Sequence, residues 1–369
     1  MQMLSMAPSA RARPSPFYDA ALAEGMCQAS VYNRMLLPLS YGDPEAEYDR
    51  LINGVAMWDV AAERQVEITG PDAARLAQML TTRDLSKCQV GQGKYVALCN
   101  HDGVLINDPI LLKRDEDRFW FSIADSDIWF WARAVAGERG FNVSVREPDA
   151  SPLAIQGPRA EDVVADLFGD WVRSVKYFWF QEAILAGIPV LVARSGWSKQ
   201  GGFEIYLLDA DRGTDLWNVV KEAGAPYGIG PGNPNWMERI ESGLLSWGGD
   251  TDMETNPFEV RMGKYVDLDV PDDTVGIAAL RRVHEEGPKR HQLGLRLDGD
   301  TRRDNEVRWV AIERDGEAVG HMTNRAWSPR LAANIGFALV SREAKPGDRV
   351  RVTLGGEPVD GTLCEMPFL

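Results

Sequence analysis

The sequence predicts an α+β protein that ends in a separate, all-β part. Up to about residue 288, apolar strands with two-residue alternation are interspersed with segments whose apolar residues recur at helical spacing. Beyond that point, short alternating strands lie between Gly, Asp and Pro turns, which indicates a small β-barrel or sandwich. A length of 369 residues is sufficient for two or three domains of ~100–200 residues each.

The first half of the chain is predicted to alternate helices and strands after a loose start. The first 29 residues begin as a polar, proline-containing tail. Helices are predicted to begin at Pro44, Pro71 and Asp125, and strands to cover residues 55–60, 65–70, 95–99, 104–106, 110–113 and 118–123. The Asp102-Gly103 pair marks the tip of a hairpin.

The second half is predicted to continue this pattern before the all-β part begins. Strands are expected at residues 153–158 and 174–185, helices at 160–168, 211–223 and 236–245, and a loop at 228–232. The all-β part follows, with strands at 293–297, 307–312, 319–322, 335–340 and 350–354.

One predicted hairpin, residues 189–207, carries an unusual amount of polar chemistry. Two apolar strands flank a polar turn with three glycines, which adopt backbone conformations that other residues resist. Because strand side chains alternate, Glu204 and Tyr206 are expected on one face. Trp197 and Lys199 lie in the turn itself. An aromatic ring, a cation, a carboxylate and a phenol are therefore predicted to converge on this hairpin.

The charge balance argues against several classes of partner. A net charge of −15 and a pI near 4.8 disfavour nucleic acid and anionic membranes, since both require basic patches. No apolar run reaches the ~20 residues that a membrane helix needs. The N-terminus has no apolar segment typical of a secretory signal. We therefore expect a cytoplasmic protein that acts on small molecules.

The cysteine and histidine spacings indicate neither a disulfide framework nor a metal site. Four cysteines are scattered without a CxxC pair, which favours free thiols in a reducing compartment. Four histidines lie apart with no HExxH spacing, so no metal is expected. Glycine-rich nucleotide-binding patterns are also absent from the sequence.

Several short motifs occur in a characteristic order along the chain. They comprise residues 103–109, 194–205, 239–243, 248–250, 256–259 and 328–336. Together they resemble the glycine-cleavage T-protein (aminomethyltransferase) family of tetrahydrofolate-dependent one-carbon enzymes, from about residue 30 to the C-terminus. The chain departs from the family at two places. Asn107 replaces the first of two paired aspartates, and Asn235 stands where a folate-contacting arginine is expected.

Other departures resemble one branch of that family, the dimethylsulfoniopropionate (DMSP) demethylases. The Ser-His-Met piece of T-proteins is missing after Asp59-Val60, and their Tyr-Thr-Gly-Glu-Asp turn is replaced by Trp-Ser-Lys-Gln-Gly at 197–201. Residues 31–36 and 122–127 also look like this branch.

The resemblance implies a three-domain fold around a central folate cleft. It implies two mixed α/β domains, one from residues 1–50 and 140–245 and the other from 51–139 and 246–285. The third is a C-terminal antiparallel β-barrel at 286–369. Tetrahydrofolate is the implied co-substrate, a small-molecule methyl donor is the implied partner, and a homodimer is compatible with the family.

The implied activity is transfer of the S-methyl group of DMSP to N5 of tetrahydrofolate by direct displacement. Three alternatives remain open. The fold could act on another N-, O- or S-methyl donor, or serve as an aminomethyltransferase with a lipoyl carrier protein, or bind folate without catalysis. Retention of Asp108 and Glu204 argues against the last of these.

The resemblance also implies roles for single residues. Asp108 is the catalytic candidate, placed to orient N5 or take up its charge, and Glu204 is expected to hydrogen-bond the pterin. Tyr95 and Ser122 are expected to line the folate slot. Residues expected near the methyl donor are Trp197, Tyr206, Phe178, Trp179, Tyr32, Arg34 and Lys199, with Arg64 as a further candidate for a substrate carboxylate.

Overall fold

The computed structural model describes residues 11–299 and 309–369. Its helices are α1 (Tyr18–Ala23), α2 (Pro44–Asn53), α3 (Ala73–Leu80), α4 (Ile128–Arg139), α5 (Ala160–Phe168), α6 (Gly213–Gly224), α7 (Trp236–Glu241) and α8 (Ile277–Glu286). Short 3₁₀ turns cover Asp170–Ser174, Ala210–Arg212, Ala225–Tyr227 and Gly263–Tyr265.

The strands in the first half are β1 (Gln28–Tyr32), β2 (Met35–Ser40), β3 (Ala56–Asp59), β4 (Gln65–Thr69), β5 (Gly93–Tyr95), β6 (Leu98–Cys99), β7 (Leu105–Asn107), β8 (Ile110–Asp115), β9 (Arg118–Ser122), β10 (Ser144–Arg146) and β11 (Ser151–Gln156). Those in the second half are β12 (Phe180–Leu185), β13 (Ile188–Ala193), β14 (Gly202–Leu207), β15 (Gly230–Gly232), β16 (Arg290–Leu297), β17 (Val310–Arg314), β18 (Glu317–Ser328), β19 (Ala333–Ser341), β20 (Arg349–Leu354) and β21 (Glu357–Cys364).

The described residues form two compact units. The first comprises residues 11–67, 91–93 and 146–235, and the second comprises 68–90, 94–145, 236–299 and 309–369. The three-domain division with the boundaries given above stays a prediction.

The first unit is built on a six-stranded sheet in the order β12-β13-β14-β11-β3-β15. Its pairs are antiparallel except for β15 with β3. The centre of the sheet is apolar, and α5 and α6 contribute Val163, Val164, Leu216 and Trp217 to the core against it. Burial of these side chains supplies the main driving force for folding this unit.

Helix α2 shows how local sequence sets an element in this unit. The side chain of Asp43 accepts a hydrogen bond from the Ala46 amide at 3.0 Å, and Pro44 occupies the first turn. Both features favour a helix start at this point. The prediction of a helix from Pro44 is confirmed.

The second unit contains a five-stranded sheet, in the order β10-β4-β9-β8-β5, and a closed barrel, in the order β16-β19-β18-β17-β20-β21. The barrel is filled by aliphatic side chains, including Leu295, Ile312 and Val352. The prediction of an all-β C-terminal part is therefore confirmed as a six-stranded barrel. Part of one predicted strand, 307–312, lies outside the described residues.

Several predicted elements are wrong in detail. Residues 11–29 are not loose, since they contain α1, and Phe17 before it is fully buried beside Trp217. Residues 228–232 are not all loop, because β15 pairs with β3. The helix predicted over 236–245 ends at Glu241. Among the described residues, no helix is long and apolar enough to cross a membrane.

Candidate functional site

The turn between β13 and β14 is held by the side chain of Gln156, at the end of the neighbouring strand β11. Its amide nitrogen donates to the carbonyls of Ser195 and Phe203 at 3.2 and 3.3 Å, and its oxygen accepts from the Ser198 hydroxyl at 2.8 Å. Gln156 is 1% exposed. One buried amide therefore fixes both ends of the turn.

This close packing requires glycine at two positions. Gly196 has a φ of +148°, and a Cβ there would lie 2.0 Å from the Gln156 amide nitrogen. Gly202 has a φ of +154°, and a Cβ there would lie 2.4 Å from the Ile155 carbonyl oxygen. The glycines predicted to shape the turn thus also make room for strand β11.

Glu204 lies on β14 and is 5% exposed. Its Oε2 accepts a hydrogen bond from the Ser195 hydroxyl at 2.5 Å and another from the Tyr206 hydroxyl at 3.2 Å. Glu204 and Tyr206 share one face of the strand, as alternation predicts. Within the described part of the chain, no donor reaches Oε1. One carboxylate oxygen is therefore anchored, and the other remains able to accept a hydrogen bond from a ligand.

Burial raises the pKa of Glu204 above its ordinary value, because the charged carboxylate is removed from water. The hydrogen bonds from Ser195 and Tyr206 favour the charged form and partly offset this rise. A ligand that donates to Oε1 would favour the carboxylate further.

The backbone of the aromatic segment before β12 is hydrogen-bonded to Arg194, the residue directly after β13. The Phe178 amide donates to the Arg194 carbonyl at 2.8 Å, and the Arg194 amide donates to the Trp179 carbonyl at 2.9 Å. Phe178 has a φ of +61°, so the strand predicted from residue 174 begins only at Phe180. Phe178, Trp179 and Trp197 are each half-buried. Their proposed contact with the methyl donor stays a prediction.

The remaining candidates in the first unit differ in exposure. Lys199 and Arg34 are exposed, whereas Tyr32 packs against the apolar core. Tyr206 is fully buried, and its hydroxyl serves Glu204. Arg64 forms hydrogen bonds with both carboxylate oxygens of Glu147, at 2.9 and 2.5 Å. Arg64 therefore has an internal role that the sequence did not predict.

Asp108 follows β7 in the second unit and is joined to Tyr95. The Tyr95 hydroxyl donates to Asp108 Oδ2 at 2.6 Å. Asp108 keeps part of its surface open, yet the surrounding protein desolvates its carboxyl group and raises its pKa to about 7. The Tyr95 hydrogen bond partly offsets this effect, and the charge of Asp250 adds a smaller rise. At neutral pH, Asp108 can therefore either hold or accept a proton.

The contacts of Asn107, next to Asp108, explain why an asparagine stands there. The Asn107 side chain bonds both the amide and the carbonyl of Ala124, at 3.0 Å each, and donates to the Ser126 hydroxyl at 2.8 Å. An aspartate could not make the two donating bonds, so this asparagine is suited to bracing the next loop. Ser122, at the end of β9, pairs across the sheet with Ile110, two residues from Asp108.

Sequence reasoning missed several supporting residues. Ser195 and Gln156 hold the Glu204 hairpin, and the Tyr265 ring meets the Tyr95 ring edge-on, with centroids 4.9 Å apart. A polar Gln156 directly after four apolar residues of strand β11 was a detectable signal. Tyr265 is far from Tyr95 along the chain, so no local pattern points to it. In the described ranges, no group of three or more His, Cys, Asp or Glu residues could hold a metal ion.

Comparison with known proteins places this geometry in a family. Residues 17–270 match the family model of the GCVT N-terminal domain, and residues 290–369 match that of the glycine cleavage T-protein C-terminal barrel domain. The dimethylsulfoniopropionate demethylase DmdA of Ruegeria pomeroyi is 41% identical over 92% of each chain. An aminomethyltransferase of Caldanaerobacter subterraneus is 29% identical, over 90% of this chain and 89% of its own.

A solved structure has the same fold. The glycine cleavage system aminomethyltransferase T of Bartonella henselae matches 97% of this chain and 98% of its own, with a TM-score of 0.85 and 22% identity. The predicted fold class, mixed α/β domains with a C-terminal antiparallel barrel, is thereby confirmed. The chain belongs to the glycine-cleavage T-protein family.

Proposed function

We propose that this protein is a tetrahydrofolate-dependent demethylase that transfers the S-methyl group of DMSP to N5 of tetrahydrofolate. The products are 5-methyltetrahydrofolate and methylthiopropionate. The observation that carries the proposal is the 41% identity to a DMSP demethylase along almost the whole chain, against 28–30% for several aminomethyltransferases.

The chemistry suits a site that aligns two molecules. A sulfonium methyl group is already activated, because a neutral thioether is a good leaving group. The N5 lone pair forms the new N–C bond while the S–C electron pair returns to sulfur. The N5 proton is then released, so that atoms and charge balance. The protein contributes alignment of the two reactants and exclusion of water.

Glu204 supports recognition of a pterin. A pterin presents an amino group and ring N–H groups, which are hydrogen-bond donors, and Oε1 of Glu204 is an acceptor with no donor among the described residues. Ser195 and Tyr206 fix the carboxylate by its other oxygen, so its orientation is set before a ligand arrives.

Asp108 supports the handling of the N5 proton. A carboxyl group with a pKa of about 7 changes protonation state in the range where the reaction would run. Its ionised form would take up the proton that N5 loses on methylation. Its role is modest compared with alignment, because the neutral thioether leaves without protonation.

Binding of the sulfonium group of the methyl donor is assigned to the half-buried aromatic residues beside the hairpin. Trp197, Phe178 and Trp179 are aromatic, and a cation over an aromatic ring gains about 0.5–2 kcal/mol. Lys199 and Arg34, both exposed, are assigned to the substrate carboxylate.

A cytoplasmic location is also part of the proposal, and the four free cysteines support it. The proposed homodimer is tested by measuring the mass of the protein in solution.

The test is an assay of purified protein with tetrahydrofolate and a panel of donors. DMSP is expected to give both products in equal amounts, and other N-, O- and S-methyl compounds are expected to react poorly. A further arm supplies the aminomethylated lipoyl carrier protein. Failure to form either product from DMSP would overturn the proposal, and turnover with the carrier protein would favour an aminomethyltransferase.

A further inference from the structure

Strand β1 is the outer strand of a two-stranded hairpin in the first unit. On the far side of β2, the Arg13 carbonyl accepts a hydrogen bond from the Leu36 amide at 2.9 Å, and the Arg13 amide donates to the Arg34 carbonyl at 2.8 Å. Strand β2 is therefore bonded along both edges. Over the described residues, β1 is paired along only one edge, the edge that faces β2.

The turn of this hairpin determines which pairs of residues are hydrogen-bonded. Asn33 and Arg34 have φ values of +48° and +62°, the pattern of a two-residue type I′ turn. In such a turn the closing pair, here Tyr32 with Met35, is hydrogen-bonded. Hydrogen-bonded and non-hydrogen-bonded pairs then alternate along the two strands.

Val31 and Ala29 therefore occupy non-hydrogen-bonded positions, opposite Leu36 and Pro38. Two observations agree with this alternation. The Leu36 amide donates away from β1, to Arg13, and Pro38 has no amide hydrogen to contribute. The amides and carbonyls of Val31 and Ala29 hence point away from β2, and no group in the described part of the chain bonds to them.

This strand edge lacks the features that usually prevent pairing with another chain. Natural edge strands are commonly protected by charged residues or prolines. Residues 25–33 contain none of Asp, Glu, Lys, Arg or Pro, although 26% of the chain is charged. Residues 28–31 are all exposed, and Val31 is 50% exposed. A second copy, with the same net charge of −15, can therefore approach this strand without bringing like charges together.

We infer that two copies of this chain associate by antiparallel pairing of their β1 strands across a two-fold axis at Ser30. In that register, Ala29 of each copy lies opposite Val31 of the other. Each such pair exchanges two N–H···O=C bonds, so the outward groups are satisfied by four bonds. The strand is thus complementary to itself, and the result is a continuous four-stranded sheet in the order β2-β1-β1-β2. This inference goes beyond the demethylase activity and specifies the surface of the proposed homodimer.

The contact is small, so the dimer is expected to be weak. Four backbone hydrogen bonds and two Val31 side chains form an interface at the low end of the sizes seen in proteins, which is typical of transient association. A Kd on the order of 0.1 mM is expected. The protein should then be almost entirely monomeric at about 1 μM and mostly dimeric at about 1 mM.

Cysteine cross-linking tests the register directly. The full-length background variant is Cys27→Ser, which removes the exposed native thiol beside the strand. Adding Ser30→Cys places two thiols at facing non-hydrogen-bonded positions, where Cα atoms about 4.5 Å apart suit a disulfide. Gln28→Cys is the matched control, because it is exposed on the same face of the same strand. Its two copies would lie about 13 Å apart along the strands, too far for a disulfide.

Under mild oxidation at about 0.1 mM protein, Ser30→Cys is expected to form a covalent dimer at least about tenfold faster than Gln28→Cys. Sedimentation velocity of variants with native cysteines provides a second measurement. Val31→Lys, which places two like charges beside the axis, is expected to raise the dimer Kd at least about tenfold. Leu39→Lys on β2, where the leucine is 45% exposed, is the control and keeps the wild-type Kd.

The outcomes separate this inference from the proposed function. Equal cross-linking of the two cysteine variants, or a wild-type protein that stays monomeric at about 1 mM, would overturn the inference and leave the demethylase proposal standing. A dimer that is unaffected by Val31→Lys would overturn the assignment of the surface. A protein that cross-links through Ser30→Cys but does not demethylate DMSP would overturn only the proposed function, because cross-linking requires no turnover.

Discussion

At the scale of single residues, two carboxyl groups are prepared for different tasks. Glu204 is almost fully buried, and two hydroxyl donors hold one of its oxygens. Asp108 is more open, one phenol holds it, and its pKa is about 7. The first arrangement fixes an acceptor in space, and the second leaves a group free to change its charge.

Replacing Glu204 by glutamine is expected to weaken folate binding about ten- to hundredfold. The variant keeps the shape but removes the charge, and a hydrogen bond to a charged group contributes about 1.5–3 kcal/mol. Isothermal titration with tetrahydrofolate measures the change. Glu182→Gln on the exposed part of strand β12 is the control, and a comparable loss there would show that the effect is not specific to Glu204.

Replacing Asp108 by asparagine is expected to lower turnover about ten- to hundredfold and to remove one step of the pH profile. The wild-type rate is expected to rise with pH through about 7, because the ionised carboxylate is the proposed active form. The variant should lack this rise. A wild-type profile that is flat between pH 6 and 8 would contradict the assignment.

The same substitution has a predictable effect on stability. The pKa of Asp108 is raised on folding from 3.8, so its contribution to stability is greatest below that value and is lost as pH rises through about 7. Asparagine stays neutral. The melting temperature of Asp108→Asn relative to wild type should therefore increase from pH 5 to pH 8. A decrease would mean that the carboxylate is stabilised rather than desolvated by folding.

The functional candidates at this scale came from motifs, whereas the contacts that support them did not. Asp108 and Glu204 stand in motifs whose order along the chain is distinctive. Ser195 is nine residues from Glu204 along the chain, and Tyr265 is brought to Tyr95 only by the tertiary fold. Contacts between residues far apart in sequence leave no periodic pattern, so they could not be predicted.

At the scale of elements, the hairpin β13–β14 depends on how closely its turn approaches β11. Helix α5 was predicted with the bounds it has, because its apolar residues and its flanking Gly-Pro and Gly signals agree. The aromatic segment before β12 was wrongly predicted as strand. Its residues have high strand propensity, but hydrogen bonds to Arg194 hold Phe178 at a positive φ.

Replacing Gly202 by alanine is expected to destabilise the protein by about 1–3 kcal/mol, because the new Cβ meets a backbone oxygen in a left-handed conformation. Gly201→Ala is the matched control. Its φ is +81°, but nothing lies within 4 Å of the added Cβ, so only the smaller conformational cost applies. Denaturant unfolding compares the two, and equal losses would show that the approach to β11 is unimportant.

At the scale of the whole molecule, a buried ion pair organises the second unit. Arg239 on α7 and Asp250 are both inaccessible to solvent and lie 2.7 Å apart. Asp250 also accepts hydrogen bonds from Thr323 and Asn324 on barrel strand β18. The family motifs around 239–243 and 248–250 are thereby explained as structural links between α7, the following loop and the barrel.

Asp250→Asn is expected to cost about 3–5 kcal/mol, since it leaves the Arg239 charge buried without its partner. Asp298→Asn is the control, because its pair with Arg349 is exposed and contributes less than about 1 kcal/mol. Thermal or denaturant unfolding measures both. Similar losses in the two variants would contradict the central role of the buried pair.

The central claim is that a methyl group passes intact from a sulfonium donor to N5 of tetrahydrofolate. The most direct test uses DMSP whose S-methyl groups carry three deuterium atoms each, with mass spectrometry of the folate product. Direct displacement predicts 5-methyltetrahydrofolate that retains all three deuterium atoms, formed in equal amount with methylthiopropionate. Loss of deuterium from the transferred carbon, or no labelled folate at all, would contradict the account.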